Sequence, residues 1–528
     1  MTSIVRTPCD EGVIRAAGAS APVAAGRWTL IAAILGSGMA FIDGTVATVA
    51  LPAIAHDLSA TVAQMQWVVE SYSLMLSSLV LVGGSLGDQF GRRRIFGTGV
   101  CVFAAASGGC AISQTIGQLI ALRVLQGIGA ALLVPGSLAL ISAAYPEETR
   151  GRAIGTWSGF SGITAALGPV IGGWLIENQS WRWAFSINLP IAAAVLAILW
   201  RRVPESRGAA EGQQVDWPGA ILASVGLGGV VYALIEIPSQ GWRNPRILSA
   251  FVAGLCSLAA FVRLEEGISA PMLPLGVFRS RTFSGANLLT FLLYAALGAA
   301  LFFLPLNLIQ VQGYSATDAG AALVPLIAIM FALSRWAGGL VARYGSKGPL
   351  VLGPIIAAAG FALLGRPTVG GAYWTMFFPA IVVLGFGMVI TVAPLTTTVM
   401  SSVATDQSGV ASGINNAVAR TAGLVAVAVL GIVVGAVFSG SLQSRLAARP
   451  IPDAVRTALF EQRGRWAGAE VPEGVTREMR EALRHDIDEA FVAAFRVAML
   501  ACAALALAGA GSAFLFVGST RPKETEHG

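Results

Sequence analysis

Gly84-Ser85-Leu86-Gly87-Asp88-Gln89-Phe90-Gly91-Arg92-Arg93-Arg94 separates two long apolar runs, 66–86 and 95–115. A carboxylate and three consecutive arginines cannot lie in hydrocarbon, where each charge costs at least about 2.5–3.5 kcal/mol. The stretch is therefore a short aqueous turn between two membrane spans. Its arginines place it in the cytoplasm, because short loops rich in Lys and Arg stay on that side. Its glycines let two helix ends approach closely.

The rest of the chain has the same character. Of 528 residues, 55% are hydrophobic and 12% are charged, about half the charge of a soluble domain. Mean hydropathy is +0.72. A chain this apolar needs lipid as its solvent, so the fold class is an all-α polytopic membrane protein. A span takes about 20 apolar residues. The apolar runs fall at 28–50, 66–86, 95–115, 118–143, 153–176, 185–200, 218–236, 247–263, 284–311, 318–342, 349–365, 373–396, 409–438 and 491–517. That is fourteen spans. The polar segment 439–490 falls outside by alternation, with a surface helix expected over 475–489. The tails, 1–27 and 519–528, fall in the cytoplasm. The first span is expected to be an uncleaved span and not a signal peptide.

Composition also excludes functions. The net charge of +6 resides in arginines at span ends, which topology already explains. No basic stripe interleaved with aromatics points to nucleic acid. The cysteines at 9, 101, 110, 256 and 502 and the histidines at 56, 485 and 527 are scattered, so no metal site or disulfide framework is expected. No Ser-His-Asp set and no phosphate-binding loop with lysine marks an enzyme.

Several polar residues lie inside spans. Asp43 and Thr45 sit in the first span, and an intramembrane carboxylate is a functional candidate by default. Its bland alternative is an interfacial helix cap. Glu70 follows the start of the second span closely and is expected near the outer surface, where a helix N-terminus favours acid; substrate contact is its other reading. Arg123 lies about one turn inside the fourth span, next to Gln126, Gly127 and Gly129. That setting favours a buried arginine in a tight helix interface over one that snorkels outward. The fifth span carries Gly159, Gly168-Pro169 and Gly172-Gly173, a composition for close approach and a bend.

Gly338-Gly339-Leu340-Val341-Ala342-Arg343-Tyr344-Gly345-Ser346-Lys347 repeats the opening stretch at constant offset, with Ala342 where Asp88 stands. Each copy falls between the second and third spans of a six-span set. The expected organisation is a half over 28–202, an inter-half segment with two extra helices over 203–283, and a second half over 284–518. Two similar halves around a central cavity suit alternating access.

These motifs together resemble the major facilitator superfamily, and within it the fourteen-span drug:proton antiporters. The residues that carry the likeness are Gly84, Leu86, Gly87, Asp88, Gly91, Arg92 and Arg93 in the loop; Arg123, Gln126, Gly127 and Gly129; Gly159 with Gly168, Pro169, Gly172 and Gly173; and Asp43 with Thr45. Trp181-Arg182-Trp183, Asn188-Leu189-Pro190 and Ser412-Gly413-Ile414-Asn415-Asn416 add to it. Thr48 departs from the asparagine common in that group. The resemblance implies the following roles. Asp88 accepts hydrogen bonds from the start of span 409–438 and, with Gly84, Gly91, Arg92 and Arg93, latches the cytoplasmic side. Arg123 biases protonation of Asp43, which couples transport to protons. The fifth-span glycines and Pro169 seal or hinge the halves. Asp43, Thr45, Glu70, Gln126, Asn415, Asn416 and Arg420 line the substrate cavity. The implied activity is proton-driven efflux of amphipathic organic compounds across a bacterial inner membrane, by a monomer, with the proton gradient in place of any cofactor. An importer or symporter of one metabolite is the alternative.

Overall fold

The computed structural model describes residues 23–207, 215–268, 271, 273–403 and 408–518; most of the expected N-terminal tail and all of the C-terminal one lie outside that set. The described residues form helices and connecting turns only. Six helices come first: α1 Val23–Asp57, α2 Val62–Phe90, α3 Arg92–Ile112, α4 Ile116–Ala144, α5 Glu147–Asn178 and α6 Asn188–Arg202. A pair follows, α7 Trp217–Gln240 and α8 Pro245–Gly267. The last six are α9 Arg281–Leu306, α10 Val324–Gly338, α11 Lys347–Leu364, α12 Phe378–Ser401, α13 Ser408–Ala447 and α14 Arg477–Phe516. Thirteen stretches of described helix are long and apolar enough to cross a membrane. The 32-residue α5 is the fourteenth long helix.

Helix ends follow local chemistry. Thr61 caps α2 reciprocally with Gln64, so α2 starts at Val62 and not at the expected 66. Glu70 therefore lies about two turns inside the helix. Its acidity suggested a place near the outer surface, but it is buried. Arg123 likewise sits two turns into α4, which Thr115 caps. The turn after α2 depends on Gly91, whose φ of 108° suits glycine. A Cβ there would also stand 2.8 Å from the Glu205 carboxylate. Gly345 holds the matching place in the repeat, with a φ of 73°.

Glycines set the distances between helices. A Cβ at Gly83 would lie 2.0 Å from the Ala131 carbonyl oxygen, and one at Gly129 would lie 2.6 Å from the Phe103 nitrogen. So α4 packs backbone to backbone against both α2 and α3. In the extra pair, Gly226, Gly229 and Gly254 bring α7 and α8 equally close. Val231 and Ile235 of α7 pack with Leu74 of α2 and with Leu424 and Ala428 of α13. The pair thus leans on both sets of six. Its other face exposes Ile221, Val225, Leu248 and Val252, as a lipid-facing surface should.

The two sets of six meet closely away from the arginine-rich end. A Cβ at Gly320, in the short helix Ala316–Ala321, would lie 2.1 Å from the Pro169 oxygen; one at Gly173 would lie 2.4 Å from the Ala316 oxygen. Thr317 Oγ1 donates to Glu177 Oε2 at 2.5 Å, and Gln66 Nε2 donates to the Val427 carbonyl at 3.1 Å. Segment 448–476 covers the end of the second set away from the arginine-rich loop. Within it, a helix at Asp453–Glu461 leads to Trp466, whose φ of 52° drives its ring between Phe303 and Phe491. The surface helix expected over 475–489 is instead continuous with the last span, as α14.

Because Gly320 abuts the Pro169 carbonyl, Gly320→Ala should push this contact apart. Overpacking costs about 1–3 kcal/mol, enough to shift a two-state equilibrium about tenfold. In purified protein cleared of its native cysteines, a Thr317→Cys reporter should react with maleimide about tenfold faster when Gly320→Ala is added. Equal rates would mean that this contact does not hold the far end closed.

Candidate functional site

Arg123 is the largest fully buried side chain in the structure. Its Nε donates to the Val68 carbonyl at 2.9 Å. Its Nη1 donates to Asp43 Oδ2 and to Gln126 Oε1, the latter at 2.7 Å. Gln126 Nε2 donates to Asp43 Oδ1 at 2.6 Å and to Ser107 Oγ at 2.7 Å. Asn188 Nδ2 reaches the same two acceptors at 3.2 and 3.1 Å. The guanidinium carbon stands 4.4 Å from the Tyr72 ring centroid, which adds cation–π attraction. Helices α1, α2, α3, α4 and α6 all contribute. The glycines after Arg123 make this possible: a Cβ at Gly127 would lie 2.5 Å from the Tyr72 carbonyl.

A second polar region lies between the two sets of six. It is a cavity of about 250 Å³, lined by Thr48 of α1, Glu70 and Ser73 of α2, Tyr294 of α9 and Arg420 of α13, on an otherwise largely apolar wall. Glu70 is 1% exposed, and its Oε2 has no hydrogen-bond partner.

The expected cavity residues therefore divide. Glu70 and Arg420 line the cavity. Asp43 and Gln126 instead lie within the first six helices, in the Arg123 cluster. Both Asp43 oxygens are occupied there because α4 approaches closely enough to present Arg123 and Gln126 to them. Thr45 Oγ1 bonds back to the Phe41 and Ile42 carbonyls, in contact with Gly168; Thr48, one turn on, faces the cavity. Asn415 donates to Asn287 Oδ1 at 3.1 Å and to Thr290 Oγ1 at 2.7 Å, tying α13 to α9. Asn416 is exposed and donates to the Ser412 carbonyl.

In the loop, Arg92 Nε donates to Asp88 Oδ1 at 2.8 Å, and Arg92 Nη1 donates to the Ala139 carbonyl at 3.2 Å. Asp88 thus pairs locally, where the resemblance implied the start of α13; residues 404–407, just before α13, lie outside the described set. Arg93 pairs with Glu205, which also accepts from the Arg93 amide at 2.9 Å. Pro169, Gly168, Gly172 and Gly173 are buried at contacts with α1 and Ala316–Ala321. Gly159 lies in α5, at a position outside the residues whose side-chain surroundings are described.

Sequence reasoning missed Ser107, Asn188, Glu205 and Tyr294 as site residues. Asn188 opens α6 in Asn188-Leu189-Pro190, and that motif was its one signal. Among the described residues, no three His, Cys, Asp or Glu side chains group as metal ligands.

A helical membrane protein of two six-helix sets around a central cavity has the architecture of a solute transporter. The Major Facilitator Superfamily model matches residues 33–428, so the chain belongs to that superfamily and is a transport protein, not an enzyme. It is 31% identical over 503 residues to a tetracenomycin C resistance and export protein of Streptomyces glaucescens, covering 94% of this chain and 92% of that one. It is 36% identical to the puromycin resistance protein of Streptomyces alboniger, over 77% of this chain and 81% of that one. It is 33% identical to the multidrug resistance protein Stp of Mycobacterium tuberculosis, over 81% of this chain and 79% of that one. Among solved structures it resembles an inward-facing, unoccupied bacterial homologue of the human lysosomal transporter Spinster, with a TM-score of 0.67 and 17% identity over 94% of this chain and 98% of that one.

The cluster yields a stability prediction. Removing one member of a buried pair strands the other charge, at about 3–5 kcal/mol. Arg123→Met should therefore lower the melting temperature in detergent strongly. Adding Asp43→Leu should recover part of the loss. Additive losses in the double variant would show that the two groups do not depend on each other.

Proposed function

We propose that this protein is a proton-driven exporter of amphipathic organic compounds, drugs or secreted metabolites, in a bacterial inner membrane. It works by alternating access between halves 28–202 and 284–518, with the pair in 203–283 bracing both. Its arginine-rich end faces the cytoplasm, as do both termini. One copy carries the whole path, and the proton gradient supplies the energy in place of a cofactor.

The observation that carries this reading is the cavity between the halves. Its wall is largely apolar and suits an organic body, while its few polar groups can orient one. It lies next to halves packed tightly at one end, the arrangement of a transporter open toward the other side. The sequence relatives named for antibiotic and multidrug resistance supply the direction and the substrate class. The likeness to a D-xylose–proton symporter, at 14% identity, is one of fold alone, so the importer reading has no comparable support.

Everted vesicles containing the protein should take up a fluorescent cationic dye when a proton gradient is imposed, and should lose it when the gradient is dissipated. Uptake indifferent to the gradient would rule out proton coupling. The loop offers a second test. Asp88 and Arg92 are partly exposed, with side-chain accessibilities of 38% and 19%, and such pairs contribute about 0–1 kcal/mol. Asp88→Asn should therefore leave the fold intact, yet lower dye transport by up to about fivefold, the most that loss of a contact worth about 1 kcal/mol can shift a two-state balance. Wild-type transport by that variant would refute the latch.

A further inference from the structure

The cavity between the halves holds a positive charge that no described residue pairs. Arg420 lies about three turns into α13. Arg420, Gly423, Leu424 and Val427 recur at helical spacing along the cavity wall. Gly298 and Gly423 bring α9 against this stretch, since a Cβ at Gly298 would stand 2.7 Å from the Gly423 Cα. That approach fixes where the guanidinium enters the cavity. Among the described residues Arg420 makes no hydrogen bond and no ion pair. From α2, Glu70, Ser73 and Ser77 line the same space, and Glu70 Oε2 has no partner either.

Arg123 shows how this chain buries a guanidinium. Asp43, Gln126 and the Val68 carbonyl all accept from it. Arg420 has no such set. A buried acid can shed its charge by taking a proton, but a guanidinium cannot be deprotonated in a protein. A lone cation inside a membrane protein is expensive. The acids nearby do not meet this cost. Asp43 is committed to Arg123, and Glu236 of α7 accepts from Trp67 Nε1 at 3.3 Å. Glu70 is the one acid on the cavity wall among the described residues, and it closes no pair with Arg420.

Resting on the exporter reading above, we propose that Arg420 is an anion subsite: its guanidinium binds the carboxylate, enolate or phenolate of an aromatic substrate and makes the transporter prefer acidic compounds over their neutral analogues. The planar fork matches a carboxylate with two parallel hydrogen bonds. An environment poor in water strengthens them. Glu70 sets the orientation. An ionised Glu70 repels an anion placed against it, so the acidic end goes to Arg420. A hydroxyl elsewhere on the substrate donates to the free Glu70 Oε2. Tyr294, Leu297, Leu301 and Phe302 of α9 line the space between, and an aromatic body packs well on such a wall. The class that fits is a hydroxylated aromatic acid small enough for a cavity of about 250 Å³.

The test uses purified full-length protein and a matched set of probes: a hydroxynaphthoate with its hydroxyl and carboxylate on opposite rings, its carboxamide, and the naphthoate that lacks the hydroxyl. Calorimetric titration gives each affinity. The wild type should bind the hydroxynaphthoate about tenfold more tightly than the carboxamide, which has the same shape and no charge. Arg420→Gln should bind both equally, at the affinity of the wild type for the carboxamide. Arg420→Lys, which keeps the charge and loses the fork, should recover part of the preference. Gel filtration of each variant confirms that it is folded. A folded Arg420→Gln variant that keeps the wild-type preference would overturn the proposal. Removing the hydroxyl should weaken binding to the wild type and not to Glu70→Ala; an equal effect in both would overturn the orientation by Glu70. Transport in proteoliposomes separates the two levels of failure. If the proton gradient drives the cationic dye while the wild type binds acid and carboxamide equally, the Arg420 assignment falls alone. If the gradient drives neither the dye nor the hydroxynaphthoate, the exporter reading falls and takes the substrate class with it.

Discussion

The architecture depends on burying one guanidinium in the middle of a membrane protein. Each ion taken from water costs several kcal/mol even after relaxation, so Arg123 can be buried only where its donors are met. The chain meets most of this need with a carbonyl from α2, a carboxylate from α1 and amides from α4 and α6, the latter bonded to that carboxylate, while Nη2 has no hydrogen-bond partner among the described residues and the guanidinium lies over the Tyr72 ring. Because the partners come from several helices, satisfying the charge also fixes how those helices sit. Glycines at 127 and 129 serve the same end, since a Cβ at either would strike a neighbouring backbone. The cluster and the packing are one constraint expressed twice: close helices bring the partners within reach, and the paired charges penalise separation.

That constraint separates rigid from movable parts. Within the first set of six, contact is backbone to backbone and the polar groups are largely matched. Between the sets, contact concentrates at the far end, where Gly173 and Gly320 meet opposing carbonyls. An interface that rests at this end on two glycines and a few polar contacts can open without unpacking either half, which alternating access requires. The arginine-rich end is held differently. Asp88, Arg92, Arg93 and Glu205 pair locally in partly exposed settings, where each pair is weak and can be exchanged. A tight contact at one end and exchangeable charges at the other suit two states close in energy.

How much of this the sequence carried varied with the physics involved. Spans were legible because length and charge are one-dimensional properties; the loop at Gly84–Arg94 marked the turn between α2 and α3 for the same reason. Arg123 was legible as buried from its glycine and glutamine neighbours. The position of Glu70 was not, because it depends on where α2 begins, and that rests on the Thr61–Gln64 cap. Four residues of helix moved the acid from a supposed surface to the cavity wall. Helix rotation was equally out of reach: Thr45 and Thr48 are three apart, yet one faces α5 and the other the cavity. The wedge at Trp466 depends on a positive φ that no local pattern announces.

The two intramembrane acids of the first half show why burial alone is a poor guide to function. Asp43 and Glu70 are equally hidden, each 1% exposed. Both would be flagged by the rule that intramembrane charge is functional. What distinguishes them is whether hydrogen bonds already match them. A carboxylate held by an arginine and two amides has its ligands inside the protein, and displacing them would cost what the fold has invested in that cluster. A carboxylate with one oxygen that no protein group bonds, beside a cavity, is open to a partner from solution. In a transporter the second kind of group is the one that can sense whether the site is filled. The first keeps the wall behind it from yielding when the ligand changes.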